Sequence, residues 1–223
     1  MMLIVGLHLA PATRHSALVV ARRHEHLEGP FDPKRKRWPS VVSYSIPHIE
    51  RFARGARLSE AIEAAASLLS GLPERSRLIV DQTAGGRPAV ALMDAQHLGP
   101  TAVVIAESGR PHIAHRVLNI PRSDLVTTLA LVMGEKRLTI GQILPDAETL
   151  LRQLTDYRVK PEADDPVDLA VACALAVWWG EVMVRSQVKQ PPVPRQSIEL
   201  DPPLTFDRAM KIARGERVTR TRI

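Results

Sequence analysis

Residues 3–9 form an apolar run interrupted only by His8, the kind that fills a buried strand. Pro11, Ala12, Thr13 and Arg14 read as a turn, and residues 16–21, rich in valine and leucine, as a second strand. Residues 22–39 are polar, basic and proline-containing, which predicts a loop or a long hairpin tip. Residues 41–46 alternate Val42, Tyr44 and Ile46 with Val41, Ser43 and Ser45, the period of a half-buried strand. The period then changes. Leu58, Ile62, Ala65 and Leu69 share one helix face, with Ser59 as candidate cap and Gly71 and Pro73 as the stop. Leu78, Ile79 and Val80 predict a short buried strand that ends on Asp81. Residues 82–88 turn, residues 89–96 read as helix, and residues 101–106 as another strand.

A polar, hairpin-like stretch follows. Residues 123–133 then predict a helix capped by Ser123, with Leu125, Leu129 and Val132 along one face. Residues 146–159 predict another, with Leu150, Leu151, Leu154 and Tyr157 inward. Asp164 or Asp165 opens a last core helix reaching about Arg185, with Pro166 in its first turn, where spare N–H groups tolerate proline. Strands joined by short turns predict an antiparallel meander, and strands alternating with helices predict parallel crossovers. The fold class is therefore α/β, a mixed sheet of a three-strand antiparallel meander plus parallel strands, with helices on both faces. Residues 1–188 form the folded domain. Residues 189–204, with five prolines in 190–203, form a linker, and residues 205–223 a basic tail. No internal repeat is visible.

Composition narrows the picture. Among 223 residues, 45% are hydrophobic but only 4% aromatic, so aliphatic packing dominates the core. The single cysteine, Cys173, excludes an internal disulfide, fits a reducing compartment and argues against a cysteine-based zinc site. No segment has the roughly 18 uncharged apolar residues of a membrane span. The apolar start lacks basic residues before it and reads as a strand, with a secretory signal as the alternative. Net charge is +6 and unevenly placed. Lys34, Arg35, Lys36 and Arg37 form one basic knot, and Arg208, Lys211, Arg214, Arg217, Arg220 and Arg222 mark the tail against Asp207 and Glu216. Such patches suit a polyanion, or are solvated loops.

The densest chemistry lies where Glu162, Asp164, Asp165 and Asp168 meet the apolar run that begins at Leu169. Carboxylates at the mouth of a buried helix suit a hard divalent cation. Acids are equally at home at a helix N-terminus, where they favour the macrodipole. Other signals are thinner. His24 and His26, and His112 and His115, are spaced like zinc ligands on a strand but lack a third ligand, which leaves them surface histidines. Gly85, Gly86 and Arg87 can touch a phosphate, though one glycine pair does not define a nucleotide site. Trp178 and Trp179 fit the packing of the last helix, while Trp38 either anchors its loop or stacks on a base. No G-x-S-x-G nucleophile motif is present.

In order along residues 2–185, these pieces resemble the C-terminal nuclease domain of the tailed-phage large terminase subunit, a ribonuclease H-like domain. Leu3-Ile4-Val5-Gly6-Leu7-His8-Leu9-Ala10 resembles the family's first strand, G-x-D-x-A. Leu78-Ile79-Val80-Asp81-Gln82-Thr83-Ala84-Gly85 resembles its fourth strand. Arg122-Ser123-Asp124-Leu125-Val126 and Arg137-Leu138-Thr139-Ile140 resemble a helix and short strand. Asp164-Asp165-Pro166-Val167-Asp168-Leu169-Ala170 resembles the closing acidic motif. The resemblance implies a metal-dependent DNA endonuclease using Mg or Mn. Two-metal hydrolysis needs carboxylates around cations about 4 Å apart. It implies Asp81, Asp164 and Asp165 as catalytic ligands, with Asp168 one turn along ligating or supporting. Asp81 also fits a turn-forming aspartate after a strand. Double-stranded DNA is the implied partner, met by Lys34, Arg35, Lys36, Arg37 and Arg87.

Two departures stand against that pattern. His8 occupies the position of the family's first acid, and an imidazole does not bridge two cations as a carboxylate does. Three arrangements stay open: a degenerate nuclease that only binds DNA, a single or softer metal held with His8, or another acid, Asp32 or Glu107, in its place. The chain also has no G-x-x-x-x-G-K-[ST] loop. It therefore does not drive ATP-dependent packaging by itself. That leaves a free-standing nuclease-like protein, one whose packaging ATPase is a separate chain, or a gene remnant. A packaging ATPase or other phage assembly proteins in the bacterial host cytoplasm are partners the resemblance implies. Two function classes result: a metal-dependent endonuclease, and a non-catalytic DNA-binding or assembly protein that keeps the fold.

Overall fold

The computed structural model describes residues 2–73, 76–84, 86–159 and 166–184. The proline-rich linker and the basic tail lie outside the described residues, as do Asp164 and Asp165. The strands are β1 (Met2–His8), β2 (Ala17–Leu27), β3 (Ser40–Arg51), β4 (Arg77–Asp81), β5 (Thr101–Ala106), β6 (His112–Ala114), β7 (Val117–Pro121) and β8 (Leu138–Ile140). The helices are α1 (Leu58–Ser70), α2 (Arg87–Ala95), α3 (Arg122–Gly134), α4 (Ala147–Asp156) and α5 (Asp168–Val182).

The strands form one eight-stranded sheet in the order β6-β7-β5-β4-β1-β2-β3-β8. β1, β2 and β3 are the antiparallel meander, and β4 lies parallel to β1, β5 to β4 and β7 to β5. β8 adds in parallel beside β3, and β6 closes a hairpin on β7. The order β3-β2-β1-β4-β5 with β2 reversed is the ribonuclease H-like arrangement. Both faces are covered, which is why β1 reads as a continuous apolar run rather than an alternating one. Leu3, Val5 and Leu7 face α1 and α2 in one buried cluster, while Ile4 and Ile79 face α3, α4 and α5 in the other. Gly6 lets α5 lie directly on β1: a Cβ there would sit 2.0 Å from the Ala172 carbonyl oxygen.

Several boundaries differ from expectation. β2 continues through its basic residues to Leu27, and β3 through Pro47 to Arg51. Pro47 is tolerated because the β2–β3 register shifts between Val20 and Arg22, and an irregular position does not need its N–H. Neither predicted serine cap forms: α1 starts after Arg57 and α3 after Pro121, with no side-chain cap at either. Ser59 and Ser123 instead fall inside the first turn. α5 begins at Asp168, so Pro166 precedes the helix rather than sitting in its first turn. Leu151 is 54% exposed, while Leu150, Leu154 and Tyr157 point inward as predicted. Among the described residues, no helix is long and apolar enough to cross a membrane.

Candidate functional site

One row of register partners crosses the sheet at its α5 side. Arg51 pairs with Ala17, Ala17 with His8, and His8 with Asp81. His8 shares the parity of Ile4 and Gly6, and Asp81 that of Ile79, so both project toward the start of α5. His8 Nδ1 lies 2.8 Å from Asp81 Oδ2. Asp81 is 1% exposed. Burial works to raise its pKa, but the His8 hydrogen bond and charge, with two hydrogen bonds from Thr83, outweigh it and hold the carboxyl below its usual range. An ionised carboxylate only accepts, so Nδ1–H is the donor and Nε2 is the ring's remaining polar atom.

The other oxygen of Asp81 is also taken. Oδ1 accepts from the Thr83 N–H at 2.8 Å and from the Thr83 hydroxyl. Thr83 Oγ1 in turn accepts from the Ile105 N–H at 2.8 Å, tying the turn to β5. Asp81 therefore forms a turn after its strand, and that strand lies beside β1. Deeper in, burial pushes the Tyr157 phenol up to about 12, against the Arg122 charge, with the Asp81 charge adding to the rise. Neither Tyr157 OH nor Arg122 Nη1 finds a well-formed hydrogen bond among the described residues.

Asp168 is committed as fully. Arg51 Nε donates to Oδ2 at 2.7 Å, and Arg51 Nη2 to Oδ1 at 3.0 Å. Gln153 Nε2 donates to Oδ1 at 3.0 Å. Gln153 Oε1 also accepts from the N–H groups of Leu169 and Ala170, capping α5 from a different helix. Sequence reasoning missed both partners. Gln153 did leave a signal: Leu150, Gln153, Leu154 and Tyr157 follow helical spacing, and a polar residue in a buried stripe needs a polar partner.

The remaining candidates are scattered. Asp32 sits in the β2–β3 hairpin tip, where its side chain accepts from the Lys34 and Arg35 N–H groups. That tip is at the opposite end of the sheet from His8, roughly 30 Å away along β2. Asp32 therefore does not replace the first acid, because it lies on the wrong edge. Glu107 follows β5 at the correct edge but is exposed. Lys34, Arg35, Lys36 and Arg37 are all exposed on the same tip as Asp32, held by the Asp32–Arg37 bridge and the edge-on Phe31–Trp38 pair, so Trp38 anchors its loop. Arg87 opens α2, whose buried residues belong to the opposite layer from His8. His112 lies in the surface hairpin.

His8 and Asp168 line a cleft of about 480 Å³ together with Thr13, Arg14, His15 and Arg54. Of the expected metal ligands, only His8, Asp81 and Asp168 are among the described residues. All four carboxylate oxygens of Asp81 and Asp168 are already hydrogen-bonded, and among the described residues no group of three or more His, Cys, Asp or Glu could hold a metal ion.

The chain is a ribonuclease H-like domain by its strand order. It is similar to the large terminase nuclease from thermophilic phage G20c, with 18% identity and a TM-score of 0.47 over 78% of this chain and 80% of that one. It is also similar to the human cytomegalovirus terminase nuclease domain, a Mn-soaked, inhibitor-bound structure, with 15% identity and a TM-score of 0.47 over 81% of this chain and 84% of that one. No family model and no curated protein matches the chain.

Proposed function

We propose that this protein binds DNA through a ribonuclease H-like domain whose acids at a strand end and at a helix start have been turned to internal hydrogen bonds. The observation that carries this reading is the double commitment of those acids, Asp81 to His8 and Thr83, and Asp168 to Arg51 and Gln153. A carboxylate whose oxygens are already taken by internal hydrogen bonds offers a cation little, so two-metal hydrolysis is lost or weakened. The exposed knot of Lys34, Arg35, Lys36 and Arg37 supplies sequence-independent, salt-dependent affinity for double-stranded DNA. Replacing those four residues with alanine weakens binding at every sequence alike and flattens the salt slope. Unchanged affinity and slope would show the knot to be only a solvated loop.

The endonuclease reading has one observation in its favour. Pro166 and Val167 line the same cleft as His8, and Asp164 and Asp165 immediately precede them in the chain. Plasmid nicking in Mg²⁺, in Mn²⁺ and without metal separates the two readings. Nicking by the parent chain that Asp165→Asn abolishes supports the endonuclease. A silent parent with intact DNA binding supports the binding protein. A packaging ATPase or other phage assembly proteins would be partners under either outcome.

A further inference from the structure

Strand β8 is an edge of the sheet. It pairs with β3 on one side, and among the described residues no strand pairs with the other. The Tyr44 N–H donates to the Arg137 carbonyl, so the parallel ladder turns the Thr139 N–H toward β3 and the N–H and C=O groups of Leu138 and Ile140 outward. An edge of this kind is a template for a further strand. Beside it lies a groove of about 420 Å³, with Leu138 and Ile140 of β8, Met133 of α3 and Leu151 of α4 in its lining. Leu151 is the α4 leucine that stands 54% exposed, on the rim of this groove rather than in the core.

The chain itself carries a segment of matching period. Residues 195–201 are a proline-free stretch between Pro194 and Pro202. Within it Ile198 and Leu200 alternate with Ser197, Glu199 and Asp201, as Leu138 and Ile140 alternate with the exposed Thr139. Apolar residues two apart are what an added strand needs to fill such a groove while its backbone pairs with the edge. The flanking prolines oppose a helix. The chain also leaves α5 at the right place. Glu181, beside the last residue of α5, accepts from Arg137 Nη1 at 2.9 Å, and Arg137 is the residue before β8. Residues 183–197 can span up to roughly 50 Å, far more than a few strand spacings. A tethered segment meets its site at an effective concentration on the order of millimolar, so a short contact suffices.

We propose that residues 197–200 add to β8 as a further strand of the sheet, with Ile198 and Leu200 seated in the groove. In the DNA-binding reading above, on which only this consequence rests, the docked segment anchors the basic run that follows it on the side of the sheet where β3 leads back to the knot.

The test uses the full chain without DNA and reads amide exchange by NMR. The Leu138 and Ile140 amides should exchange about tenfold faster in Ile198→Ser/Leu200→Ser than in the parent. The Thr139 amide, turned toward β3, should not change, which shows that the sheet itself is intact. Leu151→Ser alters the groove from its other side, at a side chain exposed enough to leave the fold in place. It should accelerate the same two amides, and combining it with the tail pair should add little. The proposal is overturned if Leu138 and Ile140 exchange alike in the parent and the tail variant, or if Leu151→Ser leaves them as slow as in the parent. Protection in the parent that falls on dilution would also overturn it, since a second copy of the chain would then cover the edge. Docking and DNA binding fail separately: a chain that binds no DNA but shows the exchange difference keeps the added strand and loses the DNA-binding reading.

Discussion

Helix α5 meets the sheet through an arginine–carboxylate pair at each end, and the two ends do different work. At its C-terminal end, Glu181 accepts from Arg137 at 2.9 and 3.2 Å and from the Tyr44 hydroxyl at 2.9 Å. Arg23 donates to the Gly180 carbonyl at 3.0 Å and to Glu25 at 2.9 Å, while Arg137 also reaches Glu135. Each cation there meets an acid or a carbonyl, and the seam is closed. At the N-terminal end the Arg51–Asp168 pair is equally well made, but it forms the wall of a cleft with further arginines across from it. The same bond serves as a latch at one end and as a neutralised floor at the other. An ion pair's role is therefore set by whether the structure around it is closed or open.

The largest effect should break both ends at once. Gly6→Ala drives a Cβ into the Ala172 carbonyl, a backbone atom that has no rotamer to escape into. We expect a loss above about 4 kcal/mol, read as a chain that no longer melts cooperatively. Gly180→Ala should cost less but still be clearly destabilising, because its Cβ would meet the hydroxyl and two ring carbons of the buried Tyr44, a side chain rather than backbone. A cooperative Gly6→Ala variant close to the parent in urea midpoint would mean that α5 does not rest on β1 as described.

Next comes Asp168→Ala, which leaves Arg51, with a side chain only 19% exposed, without its acid, and also strips Gln153 of a partner. The expected cost is about 3 kcal/mol by urea denaturation. Glu181→Ala should cost less, roughly 1–2 kcal/mol, since Glu181 is more exposed and Arg137 keeps Glu135. Equal costs at the two ends would erase the contrast drawn between them.

How much of this was readable beforehand depends on the range of the interaction. The meander, the crossover strands and the two-sided burial follow from local period, and β1 beside β4 follows from topology. Asp81 and His8 stand out through the family resemblance, each at the end of an apolar strand. Their mutual bond was not legible, because it joins residues 73 apart in sequence. Nor was Arg51's hold on Asp168, since an arginine ending a strand looks the same whether it faces water or a buried acid. Serine caps were overpredicted for a related reason. A local rule named the nearest hydroxyl, while the α5 start took its cap from Gln153 on another helix.

Acid should sharpen the contrast at an intermediate scale. Asp81's carboxyl is held below its ordinary value, so the unfolded chain binds its proton first as pH falls. Its stabilisation is therefore complete above about pH 4 and is lost as pH drops through the folded value. Asp81→Asn should cost about 1.5–3 kcal/mol at neutral pH, for the charge-assisted bond to His8. It should also remove part of the acid-induced fall in urea midpoint between pH 5 and pH 3. An undiminished fall in the variant would place the responsible carboxylates elsewhere.

The smallest effect is the most specific to the closed end. Burial and the charge of Glu181 keep the Tyr44 phenol far above its usual pKa, so it remains a donor at any working pH. Tyr44→Phe removes that donor but leaves Glu181 its Arg137 partner, so the cost should be about 1 kcal/mol. The informative quantity is the combination with Asp168→Ala. The two sites are separated by most of α5, roughly 20 Å, and share no partner, so their costs should add to within about 0.5 kcal/mol. A coupling well beyond that margin would mean that α5 shifts as a rigid body. The closed end would then set the width of the open one, and the two could no longer be treated as separate devices.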